Sequence, residues 1–177
     1  MAPDIRENSR LMAYMIGHYL QHLESVRREV YVGDLELARI AEMIAMAGVE
    51  TGMRDPAFRA RHASFDSIVG VAGQRAVNAT SISNAVGMPR ETVRRKLKQL
   101  LKLGFIVEKG RACYVLKPGV LQAPRRQAAL ARGIEQTVQL INQCLEHGTV
   151  RWQADRKRRR GHALKLSTKS VVHRRGP

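Results

Sequence analysis

Eight residues within one stretch of this 177-residue chain carry most of its chemical content. They are Arg90, Glu91, Thr92, Arg94, Arg95 and Lys98, followed shortly by Lys109 and Arg111. A guanidinium donates in a planar fork that matches guanine O6 and N7, and a glutamate accepts from cytosine N4. Lysines and hydroxyls bind phosphate oxygens and set register without reading sequence. This is chemistry for holding a patterned polyanion, not for breaking a bond. The sequence contains no Gly-rich phosphate loop, no metal-ligand cluster and no paired nucleophile and base, so no catalytic residue, cofactor or metal is expected. His18 and His22 have the i, i+4 spacing of two ligands on a helix face, but a third ligand is missing and both read as surface or interface histidines. Cys113 and Cys144 are too few for a disulfide scaffold and read as ordinary semi-buried thiols.

Charge localises the same stretch. The chain carries 31 Lys plus Arg against 15 Asp plus Glu, a net +16. Residues 1–77 are close to neutral, with nine basic and ten acidic side chains, and residues 118–148 hold three and two. The excess lies in residues 78–117, with nine basic against two acidic, and in residues 149–177, with ten against one. Two discrete basic blocks on a near-neutral body imply localised polyanion contacts rather than general supercharging. Asp4, Arg6, Glu7 and Arg10 interrupt the first ten residues, so a signal-peptide apolar core is absent there. No apolar run approaches the roughly 18–20 residues that span a bilayer. The expectation is a cytoplasmic protein with no membrane partner.

The elements that must position these residues follow from periodicity and caps. Leu11, Met15, Tyr19, Leu23 and Val26 recur at helical spacing over about 8–30, and Asp34 is placed to cap a second helix with Leu37, Ile40, Ala41 and Ile44 inside. Asp55-Pro56 suits the cap and first position of a short helical piece. Phe65, Ile68, Val69 and Ala72 predict a third helix from Ser64 or Phe65 to about Val77, despite Gly70 and Gly73. Asn78 or Ser81 caps a short helix with Ile82, Ala85 and Val86; Gly87 supplies a tight turn; and Pro89 opens a basic helix from Arg90 to about Leu103 with Val93, Leu97, Leu100 and Leu101 on one side. Residues 105–107 and 113–116 predict two strands of a hairpin tipped by Lys109 and Arg111, for which phosphate contact is favoured over a minor-groove contact or a merely solubilising role. Last, Leu130, Ile134, Val138, Ile141 and Leu145 mark a helix over about 124–147, a stripe suited to dimerisation.

The string Gly87-Met88-Pro89-Arg90-Glu91-Thr92-Val93-Arg94-Arg95 resembles the helix-turn-helix of Crp/Fnr-type bacterial regulators, and the Leu-Gly-Phe-Ile run with its hairpin is similar to the wing of winged-helix regulators. That resemblance implies base readout by Arg90, Glu91 and Arg95. It departs from the pattern at Pro89, where the family usually has a serine N-cap, and residues 1–77 lack the glycine-punctuated strands of that family's nucleotide-sensing domain. The overall order, helices before the module and a long amphipathic helix after it, resembles MarR-type regulators, which implies a dimer and leaves room for a small-molecule effector of unknown identity.

The reading is thus a mainly α protein: a winged helix-turn-helix with a two-stranded wing, flanking N- and C-terminal helices and a basic disordered tail. It divides into a helical region 1–63, a DNA-binding domain 64–119, an amphipathic helix 120–148 and a flexible tail 149–177. The expected function is sequence-specific regulation of transcription by a homodimer on double-stranded DNA, with Arg90, Glu91 and Arg95 reading bases and Thr92, Arg94, Lys98, Lys109 and Arg111 on the backbone. A replication-initiation or nucleoid-type DNA binder is the first alternative. An RNA-binding or adaptor protein acting through the tail is the second.

Overall fold

The structure, a computed structural model, describes residues 8–64 and 66–150. The tail from residue 151 onward, with its Arg156–Arg160 run, lies outside the described residues, as does Phe65. The chain is mainly helical with one small antiparallel sheet. In order come α1 (Ser9–Val30), α2 (Leu35–Val49), the short α3 (Pro56–Arg61), β1 (Val77–Asn78), α4 (Ala79–Val86), α5 (Arg90–Lys102), β2 (Ile106–Glu108), β3 (Cys113–Leu116) and α6 (Pro124–Glu146).

Local signals set most of the boundaries. Asp34 accepts from the amides of Glu36 and Leu37 and so starts α2. Asp55 accepts from Ala57 N with Pro56 at the first helical position of α3. Of the two possible caps for α4, Asn78 takes the role and accepts from Ser81 N at 2.9 Å.

The core joins α2 to α4, α5 and the sheet. Leu37, Ile40, Ala41 and Ile44 of α2 meet Ile82 and Val86 of α4, Val93, Leu97 and Leu100 of α5, and Phe105 and Ile106. Each apolar face is one stripe, and burying them together supplies the main driving force for folding. Packing therefore crosses the boundary placed at residue 63: α2 belongs to the same core as the basic helix. Phe105 anchors the junction with α1 and α6. Tyr31 packs on its ring at 5.2 Å between centroids, and the Arg126 guanidinium lies 4.2 Å from its centroid. Burial, then the nearby Glu42 carboxylate, raises the Tyr31 hydroxyl well above the ordinary tyrosine range.

Two expectations are corrected. Residues 64–77 do not form a third helix: a turn at Ser64–Ser67 leads through irregular backbone into a single 3-10 turn, Val71–Gly73, and then into β1. Two glycines and the β-branched Ile68, Val69 and Val71 weaken a helix there, and the segment finds other partners. Val77 and Asn78 pair with Tyr114 and Cys113, and the sheet has three strands in the order β1-β3-β2 rather than two. Upstream of β1 the buried Gln74 side chain continues the pairing. Its amide nitrogen donates to Leu116 O at 3.0 Å and Val69 O at 3.1 Å, while its oxygen accepts from Leu116 N at 3.1 Å.

α1 and α6 form an antiparallel pair, each on the order of 35 Å long. The close-approach residues of α6 are small. Ala129 is buried, and Gly133 faces Val26 and Leu23, where an added Cβ would already be in contact. Thr137 Oγ1 donates to Gly133 O and so accepts from Tyr19 OH at 3.0 Å. Arg132 pairs with Glu29 across the same seam.

Candidate nucleic-acid interface

Gly87 closes α4 with φ +68°, in the left-handed region, and its amide bonds Ser83 O. Ser83 Oγ donates to Met88 O at 2.6 Å, which ties the far side of the turn back to α4. Pro89 then precedes α5 with no side-chain cap, so the first amides of α5 receive no side-chain acceptor. The turn thus fixes α5 against α4, while Val93, Leu97 and Leu100 lock it onto the core.

That locking determines which side chains face outward. Glu91, Arg95, Lys98 and Lys102 fall three or four residues apart, opposite the buried stripe, and all four are exposed. Arg90 is exposed at the first turn and Arg94 lies on the flank; Thr92 is half-buried. Glu91 and Arg94 form an ion pair at 2.6 Å, so the one acidic group on the face is matched by its neighbour. Arg90, Arg95, Lys98 and Lys102 have no ion-pair partner among the described residues, leaving four uncompensated cations on one helix. Lys102 belongs to this stripe by its spacing from Lys98, a signal present in the sequence though it was not among the expected contact residues.

Lys96 is different from every other cation in the run. It is 8% exposed, and its ammonium bonds Asp34 at 2.5 Å and Glu36 at 2.9 Å. Asp34 is thereby shared, with Oδ1 capping α2 and Oδ2 holding α5. Burial alone would raise the Asp34 carboxyl, but the Lys96 hydrogen bond and the capping amides outweigh it and hold the group below its ordinary value. For Lys96, burial works downward and the two carboxylates more than offset it, so the ammonium titrates above the usual lysine range. The pair ties α5 to the start of α2.

The hairpin presents a second basic point. Register pairs Ile106, Val107 and Glu108 with Leu116, Val115 and Tyr114, and Ala112 takes φ +55° in the turn beside Gly110 at +82°. Arg111 is exposed at the tip. Lys109 is engaged within the protein instead: its ammonium donates to Gln74 O at 2.6 Å and to Ala72 O at 3.3 Å, strapping the hairpin to the segment before β1. Tyr114 faces Glu108 across the strands; partial burial and that carboxylate raise its hydroxyl, and Arg94 of α5 opposes the shift, which places hairpin and helix in electrostatic reach.

The expected dimerisation stripe is solvent-facing. Ile134, Val138, Ile141 and Leu145 are 49, 51, 52 and 40% exposed, and Leu130 is half-buried. The residues that meet α1 are offset around the helix from this stripe. On α1, Ile16 and Leu20 are likewise exposed. In an antiparallel pair their helical phase puts them on the same side as the α6 stripe. His18 is exposed, whereas His22 Nε2 is buried with no hydrogen-bond partner. Among the described residues no group of three or more His, Cys, Asp or Glu is arranged to hold a metal, and no helix is long and apolar enough to cross a membrane.

Comparisons with protein-family models, with curated proteins and with solved structures find no match to this chain.

Proposed function

We propose that the chain is a sequence-specific double-stranded DNA-binding regulator, in which α2, α4, α5 and the sheet form a winged helix-turn-helix and α5 enters the major groove. The observation that carries this reading is the outward stripe of α5: cations with no internal partner project from a helix whose opposite side is locked into the core. A helix fits the major groove, and residues near its N-terminus reach base edges. On this reading Arg90, Glu91 and Arg95 face bases, while Thr92, Arg94, Lys98 and Lys102 flank the phosphates. Arg111 supplies the outer backbone contact, and Lys109 holds the wing in place. The first turn of α5 has no side-chain cap, and uncapped amides at a helix N-terminus favour a phosphate there.

The reading extends to a homodimer. Ile16 and Leu20 with Ile134, Val138, Ile141 and Leu145 make an apolar strip along the α1/α6 pair, and a second copy of the strip covers it by two-fold symmetry, presenting two copies of α5 to a two-part site. The role is binding, with no catalysis of its own.

Fluorescence anisotropy of the full chain and of residues 1–150 on selected and scrambled duplexes tests the reading. Discrimination between duplexes retained in residues 1–150 supports α5 as the reader. Loss of all binding on removal of residues 151–177 would move the function to the tail, and equal affinity for every duplex, with long cooperative coverage, would make the protein an architectural binder.

A further inference from the structure

A cleft of about 270 Å³ opens between the C-terminal half of α2, the residues His62, Ser64 and Ser67 to Val69, and the link from β3 to α6. Its walls include Met46, Val49, Met53, Ile68, Val69 and Leu121, with polar atoms from His62, Ser67 and Gln74. Among the described wall residues Lys117 is the one Lys, Arg, Asp or Glu, and its ammonium lies near Gly104 instead, 3.8 Å from where a Cβ there would sit. Met46, Met53 and Ile68 are more than 40% exposed at the rim. The volume is just below the roughly 300 Å³ at which ligand pockets begin, so the space suits one or two fused rings rather than a larger cofactor. A wall without a charged group facing inward does not compensate an ion, so a neutral occupant is favoured over a carboxylate or an amine.

Leu116 of β3 lines the cleft directly, and the buried Gln74 ties that wall to the hairpin turn. Gln74 is 5% exposed and forms part of the cleft wall. Its side chain bonds Val69 on one side and both backbone groups of Leu116 in β3 on the other. Its own carbonyl oxygen accepts the 2.6 Å bond from Lys109 of the hairpin. Gly48 of α2 packs against the same amide, where an added Cβ would come within 3.3 Å of Gln74 Oε1. An occupant that spreads Val69 from Leu116 therefore strains the amide that aligns both, and moves the carbonyl that holds Lys109.

We propose that this cleft binds a small, neutral, mainly apolar ring compound, and that occupancy shifts the hairpin through Gln74 and Lys109. The regulatory consequence, a change in duplex affinity, rests on the DNA-binding reading; the site and its coupling to the hairpin do not. Indole serves as the probe, titrated into the full chain carrying methyl-labelled methionine and labelled backbone amides. The Met46 and Met53 methyls are expected to shift saturably, with the Leu116 and Lys109 amides moving along the same binding curve while Met12 and Met15 of α1 stay still. Met46→Glu and Ile68→Glu, both at exposed rim positions, are expected to weaken indole roughly tenfold by placing a carboxylate at the mouth. Absence of saturation, shifts spread equally over the α1 methionines, or rim variants with unchanged affinity would overturn the site. Saturation at Met46 with still Leu116 and Lys109 amides would overturn the coupling. If the amides move and indole changes affinity for a selected duplex, that duplex must change indole affinity by the same factor. If they move but no duplex binds specifically, the DNA-binding reading fails and the cleft stands.

Discussion

Replacing Lys96 by Met removes the ammonium that Asp34 and Glu36 share while keeping an unbranched stem of similar length in the α2/α5 seam. Loss of one partner from a fully buried pair costs about 3–5 kcal/mol, and an exposed pair is worth about 0–1 kcal/mol. Here the lysine side chain is 11% exposed but the carboxylates are 26% and 50% exposed, so the carboxylates left behind regain water. The expected loss is about 2 kcal/mol, a fall in Tm of roughly 4–8 °C for a domain of this size. Asp34→Asn keeps an N-cap acceptor and loses only the charge; Asp34→Ala loses the cap as well and costs about 1 kcal/mol more. Urea unfolding of Lys96→Met, Asp34→Asn and the double variant closes a cycle whose coupling energy is expected to be about 1 kcal/mol or more. The pH dependence follows from the two shifts. Asp34, held below its unfolded value of 3.8, contributes stability above that value that is lost as pH falls through the lower folded value. Lys96, held above 10.5, contributes stability below that value that is lost as pH rises through the higher folded one. The difference between wild type and Lys96→Met is therefore flat from about pH 5 to 9 and shrinks at either extreme. A Lys96→Met protein as stable as Lys98→Met, or a coupling energy near zero, would refute the role assigned to this pair.

Other changes separate reading from scaffolding. Arg95→Ala is expected to cost about 1–3 kcal/mol on a preferred duplex and to relax choice at one base pair, measured by competition against single-base variants; uniform weakening would make Arg95 a phosphate contact. Arg111→Ala is expected to weaken all duplexes alike and flatten the salt dependence by about one counterion, whereas Lys109→Ala, which cuts the strap to Gln74 and Ala72, is expected to lower thermal stability as well. Gly87→Ala forces a Cβ into the left-handed turn at a cost of about 1–2 kcal/mol in urea unfolding, with no neighbouring atom to blame for a clash. Val138→Glu with Ile141→Glu is expected to give a one-subunit mass by analytical ultracentrifugation with little change in helix content; a wild-type chain already at that mass at micromolar concentration would remove the dimer.

Local signals and long-range ones differed in how far they could be read from the chain. The cap at Asp34, the Asp55-Pro56 start, the Gly87 turn and the apolar stripe of α5 are local, and each lies where the residues imply. The segment before Asn78 is not local: β1 exists because Val77 and Asn78 meet β3 some 36 residues away, and Gln74 is buried because Leu116 offers it both backbone groups. Lys96 sits inside a run of basic residues that reads as one solvated face, and its partners are 62 and 60 positions upstream. On α6 the branched aliphatic stripe conceals the seam, since residues that meet α1 include Gly133 and Thr137, which admit close approach but carry little hydropathy. Of the expected DNA-facing set, Arg90, Glu91, Arg94, Arg95 and Lys98 are exposed on α5 and Arg111 on the hairpin, while Lys109 turns inward to a bond that no spacing announces.

The central claim is that α5 reads duplex sequence. Selection of bound duplexes from a random pool by the full chain, repeated with Arg90→Ala and Arg95→Ala, tests it most directly. The expected outcome is enrichment of a defined site, two-part if the chain pairs, with information lost at particular positions in each variant. Recovery of duplexes with no common sequence, or an identical site from all three proteins, would contradict it.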